Sequence, residues 1–236
     1  MKKLLTTGNP KTAKGEGAGY LTSILHLAPS TLSGFNTCPM ASAGCKAACL
    51  NTAGRGGIIK RGETTNIIQK ARIRKTLELF NNREAFLTQL VREVENTLRL
   101  AEKHGLTPVF RLNGTSDLRW EVMPVIRKGV EYPNIMTAFP TVQFYDYTKI
   151  ANRRNLSANY SLTFSLSESN NADAQEALEN GMNIAVVFRK VPESFMSLPV
   201  INGDLTDLRF LDPSGVVVGL KAKGKAKKDT TGFVRG

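Results

Sequence analysis

A chain of 236 residues, with 41% hydrophobic and 22% charged side chains, is long enough to bury a full core and has the composition of an ordinary folded protein. No stretch reaches the roughly 20 uninterrupted apolar residues of a membrane span. The opening Met1-Lys-Lys-Leu-Leu-Thr-Thr-Gly8 lacks an apolar run of signal-peptide length, so a cytoplasmic protein is expected. The formal net charge of +12 attracts polyanions, nucleic acid among them. The basic residues are nevertheless spread along the chain, as on a solvated surface. Only Lys221-Ala-Lys-Gly-Lys-Ala-Lys-Lys228 is dense, which reads as a phosphate contact or as a solvated terminus.

In chain order, 1–57 reads as an irregular, glycine-rich lead-in with a short apolar piece, Leu21 to Ala28, and the cysteine segment. Apolar residues at three- and four-residue spacing predict a helix over 63–81 and a second over 83–104, the latter stopped by Gly105 with His104 at its C-terminal end. Strands are expected over 107–113, 142–148, 160–165, 183–188 and 216–221, with a weaker one near Val200. A helix over 171–180, closed by Gly181, stands between two of them. Strand, helix and strand in this order indicate parallel pairing.

The strands alternate. Arg111 and Asn113 alternate with Phe110 and Leu112, and Ser161, Thr163, Ser165 and Ser167 with Leu162, Phe164 and Leu166. Period two sends the polar set to one sheet face and the apolar set to the other. The expected fold is a single α/β domain over 1–236. Its 58–236 part forms a partial or complete parallel βα (TIM-like) barrel with a polar interior, and 1–57 is the cysteine-bearing lead-in. An open doubly wound sheet is the competing architecture.

All three cysteines lie within twelve positions, as Cys38-x6-Cys45-x3-Cys49, and the other 224 residues hold none. An odd, clustered set argues for a metal rather than a disulfide framework. Cys45 and Cys49, four apart, share one side of a helical turn. The small residues Ala41-Ser-Ala-Gly44 let Cys38 return to them. Three thiolates suit a [4Fe–4S] cluster with one open iron. Zinc more often takes C-x2-C pairs with a histidine, and plain buried thiols are the third reading. His26 lies on an apolar stretch, where a structural role is expected.

Candidate binding residues gather at the C-terminal ends of the strands: Arg111, Asn113, Ser116 and Asp117; Lys149; Ser165, Ser167 and Glu168; and Arg189. Arg111, Lys149 or Arg189 would offset the negative charge of a cluster, and Asp117, Glu168 or Asp204 would fill a fourth iron site. Asp117 has a plainer alternative, as cap of a helix starting near Trp120.

The segment Cys38-Pro-Met-Ala-Ser-Ala-Gly-Cys45 through Cys49-Leu-Asn-Thr-Ala-Gly-Arg-Gly56 resembles a family of bacteriophage proteins called gene product 88. So do Phe110-Arg-Leu-Asn-Gly-Thr-Ser-Asp117, Gln143-Phe-Tyr-Asp-Tyr-Thr-Lys149 and Val217-Val-Gly-Leu-Lys-Ala-Lys-Gly224. The resemblance implies a phage product acting in the cytoplasm of an infected cell. More distantly, three early cysteines ahead of a βα barrel look like the radical S-adenosylmethionine (SAM) enzymes, in which SAM chelates the open iron. The spacing here differs from their C-x3-C-x2-C, and Gly56-Gly57 is followed by Ile58 rather than an acid. SAM is therefore a candidate ligand with two departures against it. The expected function is a cluster-binding protein with a redox or catalytic role. The alternative is a nucleic-acid-binding or host-interaction protein whose metal is structural.

Overall fold

The computed structural model describes residues 2–7, 14–153 and 156–236; the rest, including 8–13 of the lead-in, lie outside the described residues. Strands β1 (Leu5–Thr6) and β2 (Tyr20–Leu25) open the chain, and α1 (Ala43–Ala47) carries Cys45. Helices α2 (Ile67–Asn81) and α3 (Arg83–Lys103) then lead into β3 (Thr107–Arg111). A hairpin of β4 (Val125–Arg127) and β5 (Val130–Tyr132) and the short α4 (Ile135–Ala138) precede β6 (Gln143–Thr148) and β7 (Tyr160–Ser165). The chain continues through α5 (Asn171–Glu179), β8 (Ile184–Phe188), β9 (Ser194–Phe195), β10 (Leu198–Asn202) and β11 (Val217–Lys221).

Nine strands form one sheet in the order β1-β2-β3-β6-β7-β8-β11-β10-β9. The seven inner strands are mutually parallel, and β1 and β9 pair antiparallel at the two edges. Among the described residues no pairing joins these edges. The structure is thus a mixed α/β fold on a large, mostly parallel open sheet, and the closed sheet of a complete barrel is not observed. The expectation of an irregular lead-in is corrected at β2. The apolar piece read there is a buried strand, parallel to β3 with Leu21 opposite Pro108 and Ile24 opposite Arg111.

The predicted alternation places the core. Phe110 and Leu112 pack outward with Phe86, Leu90 and Val94 of α3, and Phe164 packs with Ala174 and Ala177 of α5. Each such aromatic or aliphatic burial contributes roughly 1.5–3 kcal/mol. On the concave face Tyr20, Val109 and Tyr145 meet Leu208 and Phe210. Leu208 and Phe210, from the segment ahead of β11, thus pack against that face of the sheet.

One carboxylate lies wholly inside this framework. Asp146 is fully buried, accepts the Asn113 N–H at 2.7 Å and the Tyr160 hydroxyl at 2.9 Å, and burial pushes its carboxyl up to about 7. The unfolded value is about 3.9, so between these pH values the native state holds a proton that the unfolded chain has lost. Stability from this group is complete below about pH 4 and falls as pH rises towards 7. Glu121 and Glu168, held below the usual range, lose their contribution only at more acid pH. A urea-midpoint series from pH 4.5 to 7.5 should fall for the native chain, and Asp146→Asn should flatten it. An unchanged slope in that variant would show the group to be ionised throughout.

Candidate functional site: a three-thiol chamber

The C-terminal ends of β3, β6, β7, β8 and β11 surround a cavity of about 250 Å³ whose wall includes all three cysteines. Its polypeptide is held from both sides. Gly114 lets the loop after β3 cross the exit of β2: a Cβ there would come 2.7 Å from Leu25 O and 2.8 Å from His26. That close approach brings Thr115, Ser116 and Asp117 to the Cys38 loop, where the Asp117 N–H donates to Thr37 O at 2.8 Å.

The cysteine sulfurs have backbone partners. Cys38 Sγ accepts the Ser30 N–H at 3.3 Å and lies 3.7 Å from Thr115 O; Cys49 Sγ accepts the Asn51 N–H at 3.5 Å. Cys45 sits in α1, a single turn capped by Ser42, whose hydroxyl oxygen accepts the Cys45 N–H at 3.1 Å. The turn ends at Ala47, so Cys49 lies past its cap; both residues still face the chamber. Burial raises all three thiols, Cys49 to about 11. Cys45 interacts electrostatically with Cys38 and Lys149, and Cys49 with both other cysteines. Among the described residues no group of three or more His, Cys, Asp and Glu is drawn close enough to enclose a metal ion. Ligation requires deprotonated sulfur, and metal binding gathers ligands as it proceeds.

The structure sorts the predicted residues. Arg111, Asn113, Ser116, Asp117, Lys149 and Ser165 line the chamber with the cysteines. Lys149 is buried, its ammonium donating at 2.9 Å to both Ser165 O and Ser165 Oγ. Both acceptors are neutral, and burial lowers its pKa against the opposing pull of Cys45 and Asp117. Arg111, by contrast, spends its charge on Asp207 at 3.0 Å and stacks over Tyr147 at 4.7 Å. Asp117 is not the helix cap that its position suggested. Arg119 flanks the turn at 120–122, while the Asp117 carboxylate accepts the Thr148 hydroxyl and the Lys149 N–H, each at 2.8 Å. It ties β3 to β6.

Three predicted residues are not in the chamber lining. Glu168 is a clamp: its two oxygens accept the Gly44 N–H at 2.7 Å and the Ser42 hydroxyl at 2.8 Å, fixing α1. Burial pushes its carboxyl up, but these bonds outweigh that and hold it low. Ser167 is buried outside the chamber, its N–H donating to Asn170. Arg189 lies away from the chamber and donates to the carbonyls of Lys227 and Asp229. Asp204 borders the chamber but pairs with Lys223 and accepts the Lys221 N–H. The acids named for a fourth iron site thus all have other partners.

Two contributors escaped the sequence reading. Arg72, from α2, reaches Asn51 Oδ1 at 2.5 Å and feels the Cys49 sulfur. Its place on a charged helix face gave no signal. The segment 221–228, read as a phosphate contact or a solvated terminus, keeps its lysines exposed, but its Ala222 and Ala226, with Phe233 and Val234 beyond it, pack on Ala48 and Cys45. Arg235 bonds Val187 and Arg189 beside β8. The buried Ala226 between exposed lysines, together with Phe233-Val234, was the available clue.

This fold-back leaves a side chain at Gly44 no room. A Cβ there would stand 2.2 Å from Thr231 Oγ1 and 2.8 Å from both Glu168 Oε2 and Phe233 Cβ. Gly44→Ala is expected to cost about 1–3 kcal/mol through overpacking, read as a lowered thermal midpoint. Adding Thr231→Ala should restore only part of it, because two contacts remain.

A sequence profile of the family described as Gene product 88 matches residues 3–236. No curated protein and no solved structure matches the chain, so the likeness to radical SAM enzymes finds no support.

Proposed function

We propose that this chain, which belongs to the gene product 88 family, binds an iron–sulfur cluster through Cys38, Cys45 and Cys49 and uses it in a redox or catalytic role. The observation that carries the reading is the presence of all three thiols in the lining of one cavity, at the strand ends where parallel βα proteins gather their chemistry. The donor set fits the group. Three thiolates with backbone N–H donors at Cys38 and Cys49 match the ligation and sulfur hydrogen bonding of Fe–S sites. Lys149 and Arg72 supply positive charge where thiolate charge would form. When bound, such a cluster supplies one-electron transfer or an open iron for a ligand. Around it Lys149 balances charge, Glu168 and Ser42 hold the Cys45 turn, and Asp117 fixes the Cys38 loop. The curled sheet is read as an incomplete barrel, and SAM stays a ligand to be tested rather than assumed.

Anaerobic purification with iron and acid-labile sulfide analysis tests the reading. Iron and sulfide together with a visible charge-transfer band are expected; stoichiometric zinc without iron would overturn it. Adding SAM to the reduced protein and watching its electron paramagnetic resonance spectrum settles that ligand separately. A second reading, nucleic-acid binding with a structural metal, is favoured by the exposed Lys225, Lys227 and Lys228 on the turn at 224–228. It requires affinity that falls steeply with salt.

A further inference from the structure

No Asp or Glu stands between Glu16 and Glu63, and the chain from 213 onward holds only Asp229. Residues of both stretches line the thiol chamber. They meet at Ala53 and Gly224, where a Cβ on the glycine would lie 3.3 Å from that of Ala53. Asp229 is buried and turned inward, accepting the Thr231 hydroxyl at 2.7 Å and the Val234 N–H at 3.0 Å. Glu168 is spent on Gly44 and Ser42. The exposed charges of the two stretches are basic: Lys46, Arg55, Lys60 and Arg61 in the first, and Lys225, Lys227 and Lys228 in the second, where Lys223 is paired with Asp204.

The cysteine-bearing stretch also carries bare aliphatic surface. Ile58 is 69% exposed, Met40 51%, Leu50 47% and Ile59 40%. Met40 lies between two of the cysteines, and Leu50 follows the third and lines the chamber. The loop bearing Ile58 and Ile59 is fixed rather than loose, since Asn66 Nδ2 donates to Gly56 O and Ile58 O at 2.9 Å and Gln69 Nε2 to Gly56 O at 2.8 Å. A face that joins positive charge to exposed aliphatic side chains fits a protein surface of acidic rim and apolar centre. Nucleic acid would instead favour aromatic side chains for stacking, and Phe35, the nearest in sequence, is stacked on Phe80 at 4.4 Å.

We propose that this face docks an acidic one-electron carrier protein, which reduces the cluster held in the chamber. The inference rests on the cluster reading above. In each encounter the reduced carrier gives up one electron and the cluster gains it, with no bond made or broken.

The experiment mixes iron-loaded chain with a chemically reduced acidic [2Fe–2S] ferredoxin as probe and follows electron transfer by stopped flow. The second-order rate is expected to fall at least tenfold between 50 and 500 mM salt, as for electrostatically steered association. Lys60→Glu with Arg61→Glu should lower it at least tenfold and Ile58→Asp severalfold, with iron content unchanged. Lys103→Glu, exposed at the end of α3 and remote from the chamber, should leave it unaltered. A rate indifferent to salt or to the Lys60 and Arg61 reversal, with iron intact, overturns the proposal. So does an oligonucleotide that binds this face more tightly than the ferredoxin does. If the chain proves to carry no iron, the cluster reading fails by that analysis. Titration with oxidised ferredoxin then reads docking alone, and its absence overturns the face as well.

Discussion

Replacing Cys45 by serine is expected to strip the chain of iron, from about four irons per chain when a [4Fe–4S] group is loaded to a small residue. Three thiolates are the fewest that hold such a cluster with one iron open, so loss of one leaves two protein ligands and a poor alkoxide donor. Cys45 is the most telling of the three. It lies in the turn held by Ser42 and Glu168, interacts electrostatically with both Lys149 and Cys38, and packs against the returned C-terminal segment. Serine preserves the volume, so folding should survive and iron should not. Iron, sulfide and the visible spectrum are measured beside the thermal midpoint of the iron-free forms. Full iron retention in Cys45→Ser, with Cys38→Ser and Cys49→Ser also loaded, would remove the cysteines as ligands.

The second large effect belongs to the protein alone. Arg153 has no exposed side-chain surface and bonds Glu121 through two nitrogens, one at 3.0 Å. It also lies 3.8 Å from Asp117, donates to the Tyr160 hydroxyl at 3.2 Å and covers the Tyr160 ring. Among the described residues, Arg153→Met leaves Glu121, whose side chain is 3% exposed, with the half-exposed Arg119 as its remaining charged partner. Breaking one side of a buried pair costs about 3–5 kcal/mol, a fall of roughly 6–20 °C in midpoint for a chain of this size. Glu121→Gln in the same background should recover much of it, because the stranded charge is then gone. A double-mutant cycle in urea measures the coupling; a single-variant loss under about 1 kcal/mol would show the pair to be no more than a surface-like contact.

Much of the sheet was legible because its signal is local. Tyr160–Ser165 was read with its observed ends, and the polar set Arg111, Thr163 and Ser165 faces inward as period two required. Strand β2 was not legible. Leu21 through Leu25 is buried along its length, so Thr22 and Ser23 give no clean alternation, as befits a parallel strand covered on both sides. The site divided the same way. Cysteine spacing and the strand ends brought six of nine candidate binding residues to the chamber. Arg72 and Phe233 enter from 23 and 184 positions beyond Cys49, and no local pattern encodes such contacts. The roles of Asp117 and Glu168 as fasteners depend on which N–H groups fold beside them, which residue type alone does not disclose.

The return of Phe233 and Val234 over Ala48 and Cys45 sets an order of events during synthesis. At about 5–20 residues per second, the three cysteines leave the ribosome on the order of 10–40 s before the segment that packs on Cys45. For that interval the three thiols are made and the segment packed on Cys45 is not. On the cluster reading proposed above, iron offered to the nascent chain would meet Cys45 before Phe233 and Val234 pack on it, and iron offered to the finished protein would meet it packed.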